Sequence, residues 1–161
     1  MKNKQGPIIT FFFFFFGEKA KITIKCKDAG DFELSDYLLL LQSFNEAYEI
    51  CEAVVFNPNS GLESYKSTLP LKVKHITKQS PLVMELLCYV PDAIKLFGKV
   101  AEVVDILIDN DNFRNKIREF KYLKNLTDDD FNLLCNKIQT FTRLAKTGKI
   151  IVEAIEVYKD K

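Results

Sequence analysis

The spacing of apolar and polar positions changes period several times along the chain, and each change predicts an element. Residues 20–27 alternate strictly, with Ile22, Ile24 and Cys26 against Lys21, Thr23, Lys25 and Lys27. That is the two-residue period of a strand with one covered face. From Tyr37 to Val55 the apolar positions 37, 38, 41, 44, 48, 51 and 55 follow helical spacing, which places Glu46, Glu49 and Glu52 on the solvent side. Ser35 and Asp36 suit the helix start, and Asn57-Pro58-Asn59-Ser60-Gly61 is a loop. Residues 69–79 read as a strand, with Leu71, Val73 and His75 on one side and Lys72, Lys74 and Lys78 on the other. After Ser80-Pro81 a second extended run covers 82–90 and is apolar at nearly every position.

The rest of the chain reads as helix. Pro91-Asp92 opens a helix over 93–108 whose polar residues, Lys95, Lys99, Glu102, Asp105 and Asp109, form one narrow stripe. A short amphipathic helix spans 113–123 through Phe113, Ile117 and Phe120. Thr127 starts the next one, its Asp128-Asp129-Asp130 run complementing the helix dipole. Past Gly148, the residues Lys149, Glu153, Glu156 and Asp160 recur at helical spacing, which predicts helix on both sides of that glycine, continuous or kinked there.

The most unusual segment is Phe11 to Phe16. Residues 8–16 are too few to span a bilayer, which takes about 20 apolar residues. The run ends in Gly-Glu-Lys-Ala, without the small-residue pair of a signal cleavage site. Aromatic density favours a strand, with Gly17-Glu18-Lys19 turning the chain into residues 20–27. Such a strand has no polar face, so half of its phenylalanines face away from the helices and call for a cover.

The fold class expected is α+β: a small, mainly antiparallel four-stranded sheet in ββαββα order, helices on one face, and a helical carboxyl-terminal third. A chain of 161 residues makes one domain, 1–161, divided into a sheet-plus-helix core over 8–109 and carboxyl-terminal helices over 111–161.

Composition adds mainly exclusions. With 47% apolar and 28% charged residues the chain is ordinarily globular, and 23 basic against 22 acidic residues create no field that advertises nucleic acid or an anionic membrane. Lysine far outnumbers arginine, as in the products of AT-rich genomes. Cys26, Cys51, Cys88 and Cys135 lack the short spacings of zinc or redox motifs. They read as buried thiols of a cytoplasmic protein.

Catalytic signals are poor, and no catalytic residue, metal ligand or cofactor is assigned. The sole histidine, His75, lies in a predicted strand; a pair with Cys26 or Cys88 is the one geometry it suggests. The carboxylates of Asp105, Asp109, Asp111 and Asp128–Asp130 read as solvated helix surface, and no phosphate-binding glycine motif is present.

The chain is therefore expected to be a non-catalytic protein-interaction module, self-associating or bound to another protein, in the manner of a regulator or accessory of a microbial defence or toxin system. The residues expected to meet the partner are Phe11, Phe12, Phe13, Phe14, Phe15, Phe16, Leu96 and Val103. The alternative is nucleic-acid binding through a lysine-lined sheet face formed by Lys21, Lys25, Lys27, Lys72, Lys74 and Lys78.

Overall fold

The computed structural model describes residues 8–11, 19–27, 33–56, 62, 65–67, 69–77, 82–147 and 151–159. Its elements, in chain order, are β1 (Ile8–Phe11), β2 (Ala20–Lys27), α1 (Leu34–Phe56), β3 (Lys72–Thr77), β4 (Leu82–Cys88), α2 (Pro91–Asp109), α3 (Asp111–Ile117), α4 (Asp128–Thr147) and β5 (Ile151–Lys159). The fold is α+β. One sheet in the order β1-β5-β2-β4-β3 is antiparallel from β5 to β3, and β1 joins its outer edge parallel to β5.

The local signals account for most boundaries. Pro91 occupies the first turn of α2, where its missing N–H costs nothing. The Asn110 side chain accepts the Phe113 N–H at 3.1 Å to start α3. The Thr127 hydroxyl accepts the Asp130 N–H at 3.2 Å, with three aspartates in the first turn of α4.

Two expectations are overturned by the path of the carboxyl terminus. Residues 151–159 are a strand instead of helix, so the last third of the chain is not wholly helical and returns to the sheet. β5 then lies between β1 and β2, so the phenylalanine-bearing strand does not form a hairpin with residues 20–27. The physical reason is a bulge. Lys25 faces Ala154 while Cys26 faces Val152, which leaves Glu153 as an extra residue. Buried Val152, Ile155 and Val157 are consequently spaced by three and then two, and the first interval imitates a helix.

The helices cover one face. Ala20, Ile22, Ile24 and Cys26 of β2, Met84, Leu86 and Cys88 of β4, and Val152, Ile155 and Val157 of β5 are buried beneath them. The helix layer is joined by three rings, Phe44 of α1, Phe97 of α2 and Phe141 of α4, with centroids 5.1–5.6 Å apart. A buried carboxyl lies in the same layer. Glu52, expected on the solvent side, is 0% exposed and accepts hydrogen bonds from the Ser67 hydroxyl and the Leu69 N–H.

Candidate functional site

His75 and the cysteines are separated by the sheet itself. In β3, Val73 faces Leu86 but His75 faces Glu85, because a second bulge at Lys74 adds a residue. His75 is thereby moved from the side of Val73 to the open face, and Ile76, opposite Met84, takes its place. Cys26 and Cys88 point the other way, into the helix layer. The Cys–His geometry is not formed.

All four thiols are free and buried. Burial pushes Cys26 and Cys135 up to about 11 and raises Cys51 and Cys88 as well. A thiolate is therefore scarce at neutral pH. At about pH 8 the folded protein is expected to react with an aromatic disulfide reagent no faster than it unfolds, all four thiols titrating after denaturation. Rapid labelling of one thiol in the folded state would contradict this.

No group of three or more metal-ligating side chains occurs among the described residues, and no helix there is long and apolar enough to cross a membrane. Asp105 is engaged instead: hydrogen bonding from Lys146, at 3.0 Å, holds its carboxyl below the usual range, with Gln139 at 3.3 Å assisting.

Of the residues expected to meet a partner, Phe12 to Phe16 lie outside the described residues, and Phe11 ends β1 opposite Val157. Leu96 does not reach the surface. It is 4% exposed and belongs to the chain's own core, together with Ala93, Phe97 and Val100 on the same helix. Val103 is half-buried and lines an open groove of about 420 Å³ between α2 and α3. The groove has an apolar floor of Val103, Phe113, Ile117 and Phe120 and a charged rim of Lys99, Glu102 and Lys116. Lys99 and Val103 share a helix face with Ile106, which is 50% exposed. Phe120, 42% exposed, lies just past α3 with the Lys99 ammonium 4.5 Å from its ring centre. Helical spacing over 113–123 places Phe120 with Phe113 and Ile117; α3 ends at Ile117, and that early stop leaves the ring partly exposed.

Neither a family model, nor a curated protein, nor a solved structure matches this chain.

The open face of the sheet is the second surface. Its side chains form rows across the strands: Tyr158, Lys21, Leu87 and Lys72 in one, Glu156, Thr23, Glu85 and His75 in the next. Lys21 pairs with Glu85 at 3.8 Å and Lys25 with Glu156 at 3.2 Å, so the lysines of β2 are interleaved with acids instead of facing only one another. Thr23 lies between them with its hydroxyl 2.7 Å from that of Tyr158. Lys74 falls at the bulge, Lys27 ends β2, and Lys78 lies outside the described residues. Two aromatic members of this face had no sequence signal. Tyr158 falls where the spacing predicts helix, and Tyr89 falls near the end of an extended run, 82–90, that is apolar at nearly every position except Glu85.

Proposed function

We propose that the chain is a non-catalytic interaction module that self-associates through the face formed by α2 and α3. The observation that supports the reading is the groove lined by Val103 and the half-exposed Phe120, with the exposed Ile106 on the same helix face beside it. Apolar side chains grouped on one surface and rimmed by charge are the usual composition of a docking face. The rim carries both signs, Lys99 and Lys116 against Glu102. A two-fold contact brings the same patch against itself, so a mixed rim can pair with its own copy where a single-sign rim would repel it.

Light scattering coupled to size-exclusion chromatography tests this directly. The chain mass is 18.6 kDa. A dimer of about twice that mass is expected, together with its conversion to monomer by Ile106→Asp, since a buried unpaired carboxylate is costly in an interface. A monomeric wild-type protein would overturn self-association and leave a heterologous partner for the same groove. A dimer indifferent to Ile106→Asp would place the contact elsewhere.

A further inference from the structure

We infer that the open sheet face binds single-stranded nucleic acid, seating a base against Tyr89 with flanking phosphates at Lys19 and Lys72. Both ammonium groups converge on that one ring, Lys19 at 5.7 Å and Lys72 at 5.4 Å from its centre. Both lysines are exposed, and among the described residues neither forms an ion pair with a carboxylate. Across the sheet the pattern repeats, with Lys21 4.6 Å from the centre of the Tyr158 ring. β4 and β5 flank β2, and Tyr89 is two residues further along than Leu87, which shares a row with Tyr158, so the two tyrosines are about 12 Å apart.

Charge on this face is not balanced locally, although the whole chain is nearly neutral. Among the described side chains around these rings and pairs, Lys19, Lys21, Lys25 and Lys72 stand against Glu85 and Glu156, an excess of two positive charges. An acidic protein segment would satisfy the charge alone. A ligand that carries flat π-systems as well as anions also uses Tyr89 and Tyr158, each half-buried with part of its surface accessible. Lysines interleaved with aromatic rings on one surface are the arrangement that holds single strands without reading sequence. The site is separate from the α2–α3 groove, so the two can fail independently.

The test is fluorescence anisotropy with a labelled oligothymidine of about 12 nucleotides, titrated at several salt concentrations. Binding is expected to weaken linearly in the logarithm of salt, and the Lys19→Gln/Lys72→Gln double variant should flatten that slope by about 1.4, for two phosphates at about 0.7 each. Tyr89→Leu should weaken binding roughly 5- to 150-fold at fixed salt and leave the slope unchanged. Lys124→Gln, an exposed lysine beyond α3, should change nothing. Absence of binding by the wild-type chain at low salt would overturn the inference. So would displacement by oligoglutamate with no penalty from Tyr89→Leu, which would identify the face as a dock for acidic protein. The lysine variants are surface changes and keep the slope measurement interpretable even if Tyr89→Leu fails to fold.

Discussion

Phe97→Ala is expected to cost about 3–5 kcal/mol of folding free energy. Phe97 is fully buried and meets Phe44 edge-on at 5.3 Å and Phe141 at 5.6 Å. Each ring comes from a different helix, so the truncation opens a cavity where α1, α2 and α4 meet. Domain stabilities total about 5–15 kcal/mol, which makes this a large fraction. The midpoint of urea unfolding should fall with little change in slope. Phe120→Ala, at an exposed ring, should cost under about 1 kcal/mol. A double-mutant cycle between Phe44 and Phe141, in edge contact at 5.1 Å, should return a coupling of about 0.5–1.5 kcal/mol. A Phe97→Ala protein within about 1 kcal/mol of wild type would mean that the three rings do not join the layer.

Periodicity is readable only where the element is regular, and the two bulges mark where it failed. β2, α1 and α2 have uninterrupted periods of two and near 3.6, and their type and approximate extent were legible, but the covered face of α1 was read only in part, since Glu52 is buried and Leu38 is 53% exposed. β5 carries an extra residue at Glu153, and β3 one at Lys74. In each strand the side chains beyond the bulge change faces, so an alternation counted through it assigns them wrongly. That single cause accounts for the helix expected over 151–159 and for His75 expected on the side of Val73. The lysine face was legible in outline because β2 is regular. Its acids were partly hidden: Glu85 and Glu156 become partners only through strand pairing between segments distant in sequence. The apolar excess of α2 was legible as well, but its destination was not. Leu96 is buried in the chain's own core, whereas Val103, seven residues later and on nearly the same side of the helix, lines the surface groove. A narrow polar stripe records how much of a helix is covered, and not by which chain.

Glu52→Ala is expected to destabilise the protein by about 2–4 kcal/mol and to loosen one edge of the sheet in particular. The Glu52 side chain is entirely buried in α1, and both of its oxygens are used. One accepts the Ser67 hydroxyl at 2.5 Å and the other the Leu69 N–H at 3.3 Å. These bonds tie the segment leading into β3 to the last turns of α1, and β3 is an edge strand, paired on one side only, with β4. Alanine leaves the Leu69 N–H without its acceptor, at about 1–3 kcal/mol, and adds a cavity where the side chain stood. Glu52→Gln preserves the volume and one carbonyl acceptor, so it should retain most of that stability. The neighbouring polar pair supplies an internal control. Tyr48, one turn earlier, lies 3.4 Å from the Cys88 thiol, and burial raises the phenol far above its ordinary range. Tyr48→Phe removes that hydroxyl without touching the Ser67 and Leu69 bonds, so it should leave the approach to β3 intact. Hydrogen exchange separates the cases: the Leu69 amide and the β3 amides bonded to β4 should lose protection in Glu52→Ala and keep it in Tyr48→Phe. Equal stability of the alanine and glutamine variants, with Leu69 protected in both, would show that the carboxyl is only filling space.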